Sequence, residues 1–392
     1  MSAPEAPDTA FDTASVSVIT TAPEPSTRVL DVRKRFTELD GLRGVAALFV
    51  VIFHLNKYIR DLELPRPIDQ VISGGYLMVD LFFVLSGFVL ARSMLATRTS
   101  GDVFRFSSLR ARRFLPLHLT GVAIALCTVT LTWVAQHYHY QYAPDRPAFG
   151  VEAESAWGYV SSMLLLQGFI GPHYAGYAAA WSLSIELWTN VLLVVAIAAV
   201  PWVHRKQWVG PAAVAFGTLV LFMSAGVENA IGWTAFGRGL TGLGTGMVIY
   251  WAYTAAIRYR PVRWPAIGAA LGLIGLVGCM YLANDVRRLE YLPILVIAAG
   301  LIFCLVQPSD GPSHRLLNSG VAQWLGSRSF ALYALHGPVM LVVSLLARFY
   351  GLHLHQPKVA IVIIIVTLIG ALSAAEIGHR FIERLWVPKK SG

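Results

Sequence analysis

Residues 39–54 read LDGLRGVAALFVVIFH, an apolar stretch with a charged start and a histidine at its far end. The ten residues between Arg43 and His54 carry no charge. A helix that is apolar on every side belongs in a membrane or a buried core, and a histidine at membrane depth is costly enough to need a function. This stretch therefore predicts a membrane-spanning first helix and raises the question of what His54 does there.

The composition of the whole chain agrees with a membrane location. Of the 392 residues, 56% are hydrophobic and 14% are charged, whereas about a quarter are charged in an average soluble domain. A membrane-crossing helix needs about 20 mostly apolar residues. Ten stretches qualify, namely 42–58, 75–95, 114–135, 181–203, 208–226, 237–256, 264–283, 291–307, 321–346 and 358–380. The stretch 157–170 is short for a crossing and is expected to be re-entrant or to lie at the membrane surface, with an eleventh span as the alternative.

The positions of Lys and Arg predict the orientation, because positively charged loops stay in the cytoplasm. With the N-terminus inside and ten crossings, the cytoplasmic segments hold 20 Lys and Arg residues and the outer loops hold 8. We therefore predict a multi-pass protein of the inner (plasma) membrane with both termini in the cytoplasm. The net charge of +9 then reflects topology, and no nucleic-acid partner is expected.

The domain organisation follows from composition. Residues 1–35 are rich in Ala, Thr, Pro and Ser and contain no apolar core, which predicts a disordered cytoplasmic tail. Residues 36–388 form one membrane domain, and residues 389–392 form a short cytoplasmic tail. The sequence thus predicts an all-α polytopic integral membrane protein of about ten transmembrane helices, with a polar active-site cavity inside the bundle.

Ionisable residues inside the predicted spans are functional candidates, because such groups are costly at membrane depth. Arg43 lies at the inner mouth of the first span, eleven residues before His54, which places the two about 20° apart around a helix and about 16 Å apart along its axis. That separation resembles the reach of an extended pantetheine arm, from its phosphates to its thioester. The alternative is that Arg43 is an interfacial arginine and that His54 is a core histidine whose hydrogen bonds come from a neighbouring residue. The candidates taken from within the spans are His54, Asp80, Glu186, Arg238, His336, Glu376 and His379.

The segment SSLRARRFLPLH, residues 107–118, adds a second basic cluster before the third span. Arg110 and Arg113 are three residues apart and share a helix face. Two guanidinium groups on one face make a good phosphate clamp. The alternative is that these arginines only enforce the topology of a basic cytoplasmic loop.

Two carboxylates and a serine complete the polar set of the early spans. Asp80 lies near the outer end of the second span, six residues before Ser86, whose hydroxyl can bond its own backbone or a ligand. Glu186 lies about one and a half turns inside the fourth span, where a lone glutamate has to be neutral or paired. Asp80, Glu186 and His54 are all expected in the outer half of the membrane, where a carboxylate can orient the imidazole. The alternative is a hydrogen-bonded pair that only holds helices together.

Six sequence blocks together resemble the membrane-bound acyltransferase-3 family. In order, they are LDGLRGVAALFVVIFH, VDLFFVLSGFVL, RARRFLP, WSLSIELW, LGSRSFALYALHGPV and HRFIERLWVP. The resemblance covers nearly everything from Glu38 to Pro388. It implies about ten membrane helices and transfer of an acyl group, often acetyl, from coenzyme A to a hydroxyl of a surface polysaccharide, peptidoglycan, lipid-linked sugar or secondary metabolite such as a macrolide. Arg43 and His54 match the family's arginine–histidine motif, and Arg110 and Arg113 match its paired arginines.

The resemblance and the residues together favour an O-acyltransferase that uses cytoplasmic acyl-CoA, with acetyl-CoA expected. His54 is the predicted general base on the acceptor hydroxyl, oriented by Glu186 or Asp80, and a covalent acyl-imidazole on His54 is the alternative route. The acceptor is expected to be a carbohydrate or a macrolide-like molecule, and no metal is expected. The predicted donor-binding residues are Arg43, Arg110, Arg113, Ser86, Tyr333 and His336.

A proton-coupled transporter is the alternative function, with His54, Asp80 and Glu186 as a proton relay. Transporters of this kind often show paired broken helices in two related halves, and the sequence shows no such pair. A phosphate clamp on the cytoplasmic face also has no obvious place in a transporter. The acyltransferase is therefore the favoured interpretation.

Overall fold

The computed structural model describes residues 36–138, 156–170, 180–201, 203–224, 232–259, 262–283, 291–352 and 356–383. The two predicted tails, 1–35 and 389–392, lie outside these ranges. Within them, the regular secondary structure is helical and no strand occurs. The predicted class, an all-α polytopic membrane protein, is confirmed.

The described ranges contain fifteen α-helices. They are α1 Thr37–His54, α2 Asn56–Ile59, α3 Arg66–Ser73, α4 Met78–Leu95, α5 Ser100–His137, α6 Ala156–Met163, α7 Gln167–Ile170, α8 Trp181–Ala199, α9 Val209–Met223, α10 Trp233–Tyr259, α11 Pro265–Leu282, α12 Tyr291–Leu305, α13 Pro312–Leu317, α14 Gly320–Phe349 and α15 Pro357–Ile377. Short 3-10 helices lie at Arg60–Leu62, Gly74–Leu77 and Val203–Trp208, and a π-helix follows α15 at Gly378–Glu383.

Each of the ten predicted spans coincides with one of the longer helices. Seven helical segments of the described residues are long and apolar enough to cross a membrane. The other three are α1, which carries Glu38, Asp40 and Arg43 near its start, α12, which has only 15 residues, and α10. The figure of ten crossings therefore stays a prediction.

The apolar stretch before α8 is divided into two short helices rather than one. The eight residues of α6 rise about 12 Å, far less than the roughly 30 Å of a bilayer core. Between α6 and α7, Leu165 has a φ of 53°, a left-handed conformation that interrupts a helix. This geometry supports the expectation that residues 157–170 do not cross as a single helix.

Glycines allow α1 and α14 to approach closely. A Cβ atom at Gly44 would lie 2.4 Å from the backbone nitrogen of Gly326, and one at Gly326 would lie 2.2 Å from the carbonyl oxygen of Asp40. Small residues at such contacts let membrane helices pack backbone to backbone. The contact fixes the register of α1 against α14, and with it the relative positions of His54 and His336.

A second glycine contact joins α4 and α10. A Cβ atom at Gly87 would lie 2.1 Å from the carbonyl oxygen of Leu243, and one at Gly246 would lie 2.2 Å from that of Val84. The buried side of α4 carries Ser86, which lies between these contacts, and Asp80, one turn before Val84. Close packing therefore brings the polar residues of α4 against the neighbouring helices α8 and α10.

Candidate active site

A pocket lies among α1, α4, α5, α8 and α14, with about 570 Å³ of empty space, part of it open to solvent. Arg43 of α1 and Arg110 and Arg113 of α5 line it, and we call it the cationic pocket. Its other lining residues are Val79, Phe82, Phe83, Ser86, Phe114, Ser182, Leu183, Glu186, Ser329, Phe330 and Tyr333. The structure thus brings together the three arginines that the sequence analysis assigned to the donor, and adds Ser86 and Tyr333 from the same prediction.

The charges of the cationic pocket are partly paired. Glu186 accepts hydrogen bonds from the Ser86 hydroxyl at 2.6 Å and from Nη2 of Arg110 at 3.0 Å. Arg43 forms an ion pair with Asp40 at 3.6 Å. Three guanidinium groups and one carboxylate line the pocket, so the lining carries an excess of positive charge. Such a site favours a ligand with several negative groups.

Glu186 lies in the cationic pocket and forms no hydrogen bond with His54. This corrects the expectation that Glu186 could orient the imidazole. A charged carboxylate at membrane depth needs a partner, and the long side chain of Arg110 reaches it from α5. Arg110 also lies 4.9 Å above the centre of the Phe114 ring. The position of Glu186 along α8 did not reveal this contact, because the partner comes from a different helix.

Asp80 is likewise separated from His54. It accepts two hydrogen bonds from Arg238 of α10, at 2.9 Å from Nε and 2.7 Å from Nη2, and the exposed fractions of the two side chains are 1% and 2%. The guanidinium lies 4.9 Å from the Trp181 ring centre and 4.5 Å from that of Tyr291. Asp80, one of the two carboxylates expected to orient the histidine, is thus bonded to Arg238 and forms no hydrogen bond with His54.

His54 contacts a second histidine instead of a carboxylate. Its Nδ1 atom lies 2.8 Å from the carbonyl oxygen of Val50 and 3.3 Å from Nε2 of His336. Nδ1 of His336 lies 2.7 Å from the carbonyl oxygen of Tyr333. His336 is fully buried, whereas His54 is partly exposed.

These contacts determine which ring nitrogens carry hydrogen. A carbonyl oxygen can only accept, so Nδ1 of each histidine has to donate. When both rings are neutral, the single hydrogen on Nδ1 of His54 is shared between the Val50 carbonyl oxygen at 2.8 Å and Nε2 of His336 at 3.3 Å, and Nε2 of His54 keeps its lone pair. The arrangement leaves a proton acceptor on His54 without any carboxylate in contact with the ring.

Tyr333 connects the cationic pocket to the histidine pair. Its hydroxyl is hydrogen-bonded to the Ser182 hydroxyl at the pocket lining. Its ring centre lies 5.9 Å from that of Phe82 and 5.8 Å from that of His336. Tyr333 and His336 were both predicted to be donor-binding residues. The contact of His336 with His54 was not predicted, and the only signal for it in the sequence was the presence of two histidines in spans of the same bundle.

Comparisons with known proteins agree on one family. The family model described as an acyltransferase domain matches residues 36–376. A Staphylococcus aureus protein provisionally named as an O-acetyltransferase is 22% identical over 361 residues, which are 88% of this chain and 56% of that protein. The peptidoglycan O-acetyltransferase OatA of Listeria monocytogenes is 23% identical over 377 residues, 90% of this chain and 56% of OatA.

A third relative matches a shorter region. The protein of Komagataeibacter xylinus provisionally named as membrane-bound transacylase BcsY is 29% identical over 183 residues, 45% of this chain and 41% of that protein. The chain spans a little over half the length of the first curated relatives that it matches. No solved structure matches it significantly.

Proposed function

The chain belongs to the acyltransferase-3 family, and on this premise we propose that it is a membrane O-acyltransferase that transfers an acetyl group from acetyl-CoA to a hydroxyl of its acceptor. The observation that carries the proposal is the cationic pocket, whose lining residue Tyr333 packs on His336, which in turn contacts His54. The relatives named as O-acetyltransferases, one of them acting on peptidoglycan, support the reaction class.

The cationic pocket suits the donor. Coenzyme A carries its negative charge on phosphates at one end and its thioester at the other, joined by the pantetheine arm. Arg43, Arg110 and Arg113 supply charged donors for the phosphates. His54 lies about 16 Å further along α1 from Arg43, which suits the length of the arm. The donor therefore enters with its phosphates at the arginines and its acyl group toward the histidines.

The histidine pair supplies the base. Nε2 of His54 accepts the proton of the acceptor hydroxyl while the hydroxyl oxygen attacks the thioester carbonyl carbon. The carbon–sulfur bond then breaks, and the leaving sulfur takes the proton from His54, which yields the ester and free coenzyme A. The Val50 carbonyl oxygen and Nε2 of His336 share the Nδ1 hydrogen of His54 and hold the ring, in the position where a carboxylate was expected.

The transporter hypothesis fits the geometry less well. Its relay requires His54, Asp80 and Glu186 to exchange protons with one another. In the structure, Asp80 is bonded to Arg238 and Glu186 to Arg110 and Ser86. Each carboxylate is thus held by its own cation, which argues against a continuous relay.

The test uses purified protein in detergent with acetyl-CoA labelled in its acetyl group. The protein is expected to release labelled acetate slowly and to label a hydroxyl acceptor from cell-envelope extract. Arg113→Ala or Arg110→Ala should raise the acetyl-CoA requirement roughly 10- to 100-fold, because a hydrogen bond to a charged group contributes about 1.5–3 kcal/mol.

Arg105→Ala is the matched control, because Arg105 lies on the same helix, is exposed and does not line the cationic pocket. If the Arg110 and Arg113 variants bind acetyl-CoA like the control, the donor assignment is wrong and the arginines serve topology. If the wild type neither hydrolyses acetyl-CoA nor transfers its acetyl group to any extract, the proposed function fails.

A further inference from the structure

The cationic pocket has a charged end and an apolar end. Glu186 is hydrogen-bonded to Ser86 and to Arg110, so these three residues mark the charged end. From Ser86, the lining on α4 continues to Val79, about 10 Å further along the helix axis. From Glu186, the lining on α8 continues to Leu183, about 5 Å further along its axis. Both helices therefore change from polar to apolar lining residues in the direction that leads away from Arg110.

Three aromatic side chains close the apolar end. They are Phe82 and Phe83 of α4 and Tyr333 of α14, and we call them the aromatic wall. The ring centre of Phe82 lies 5.9 Å from that of Tyr333, whose ring centre lies 5.8 Å from that of His336. Among the described residues that line the pocket, neither His336 nor His54 occurs. The pocket thus ends at the contact of Phe82 with Tyr333, one layer of side chains before the histidine pair.

Two members of the aromatic wall are fixed by contacts behind them. Phe83 is 1% exposed, and its ring centre lies 6.3 Å from that of Trp181. Tyr333 is buried, and its hydroxyl is hydrogen-bonded to the Ser182 hydroxyl. Phe82 is only partly buried. Of the three rings, Phe82 is therefore the one whose removal enlarges the apolar end with the least loss of packing.

We infer that Phe82 limits the length of the acyl chain that the donor carries, an inference that rests on the proposed function. With the donor phosphates at Arg43, Arg110 and Arg113, the acyl group is the part of the donor that reaches the apolar end. A short acyl group fits in front of the aromatic wall, whereas each further methylene has to displace Phe82 or Tyr333. Extra methylenes forced against packed side chains are costly, and one methylene in an apolar pocket changes kcat/KM about 10- to 200-fold.

The test compares acetyl-CoA, butyryl-CoA and hexanoyl-CoA, with the release of free coenzyme A as the signal. The wild type should have a kcat/KM at least about tenfold lower for hexanoyl-CoA than for acetyl-CoA. Phe82→Ala should reduce this ratio to below about threefold, because the longer chain occupies the space that the ring leaves. Phe82→Leu keeps an apolar side chain against Tyr333, so it should fold even where Phe82→Ala does not, and its ratio should lie between the two.

Binding of the same three acyl-CoAs and of free coenzyme A, measured by calorimetry, gives a second result that does not depend on turnover. The hexanoyl chain should weaken binding to the wild type and strengthen binding to Phe82→Ala. Phe104→Ala is the matched control, because Phe104 is 77% exposed on α5 and does not line the cationic pocket. It should keep the wild-type ratios.

Two results would overturn the role of Phe82. One is a wild type that binds and uses all three acyl-CoAs equally well. The other is a Phe82→Ala or Phe82→Leu protein that keeps the wild-type ratios, as the Phe104→Ala control does. Failure of the proposed function shows differently, as a wild type that releases no coenzyme A and transfers no acyl group, and the binding series then decides on Phe82 alone. A wild type that binds no acyl-CoA would overturn both.

Discussion

Replacing His54 by glutamine tests the centre of the proposed chemistry. Glutamine has a similar size, and its amide can keep one hydrogen bond to the Val50 carbonyl or to His336, so the fold should survive. It cannot accept the proton of a hydroxyl. If His54 only filled space, the substitution would be mild. If His54 is the base, its loss should lower turnover about 10²–10⁴-fold.

The structure also predicts what should not change. His54 does not line the cationic pocket and is about 16 Å from Arg43 along α1. Acetyl-CoA affinity, measured by calorimetry or by equilibrium binding of labelled donor, should therefore stay within about twofold of wild type for His54→Gln. The expected signature is normal donor binding and normal expression with almost no transfer to the acceptor.

His336→Gln separates the base from the residue that positions it. Nδ1 of His54 keeps its 2.8 Å contact with the Val50 carbonyl, so this variant should lose less turnover than His54→Gln. Because the two rings act as one unit, the double variant should be no slower than His54→Gln alone. A His54→Gln protein that keeps more than about a tenth of wild-type turnover would refute the general-base role, and additive losses in the double variant would refute the positioning role of His336.

Two further predictions concern stability and orientation. Asp80→Asn leaves the buried Arg238 without its counter-charge and should lower the melting temperature strongly, since breaking a buried ion pair typically costs about 3–5 kcal/mol. Recovery of stability in Asp80→Asn/Arg238→Gln would identify the unpaired charge as the cause. An unchanged melting temperature in Asp80→Asn would contradict the prediction. In a cysteine-free background, Glu63→Cys should react with an impermeant thiol reagent from outside and Asp310→Cys only after permeabilisation; reversed labelling would overturn the orientation.

The fold class could be predicted from the sequence because membrane helices are encoded locally. A run of about 20 apolar residues has to be helical in a bilayer, where each backbone polar group needs a partner within its own segment. Each predicted span accordingly coincides with a helix, within a few residues at most ends. The break at Leu165 was harder to predict from the sequence, because a single residue in the left-handed conformation leaves no pattern in an apolar run.

The site was only half predictable, for a physical reason. The sequence identifies which groups are costly at membrane depth, so His54, Asp80, Glu186 and Arg238 could be found. It does not identify partners on other helices, because pairing depends on helix rotation and register. Asp80 and Glu186 were therefore matched to the wrong residue, since the nearest cation to each comes from α10 or α5. Two opposite charges within predicted spans, such as Asp80 and Arg238, were the available signal.

The register of α1 against α14 could not be predicted from the sequence, and the glycines between the two helices set it. A substitution at one of these glycines tests this. A Cβ atom at Gly326 would lie 2.2 Å from the Asp40 carbonyl oxygen, so Gly326→Ala has to shift the helices by about 1 Å to reach an ordinary contact, and a shift of that size can cost about 10²-fold in rate. Gly326→Ala should therefore lower both the melting temperature and turnover. Gly300→Ala is the control, because nothing lies within 4 Å of a Cβ atom there. Full turnover in Gly326→Ala would show that something other than this glycine contact holds His54 against His336.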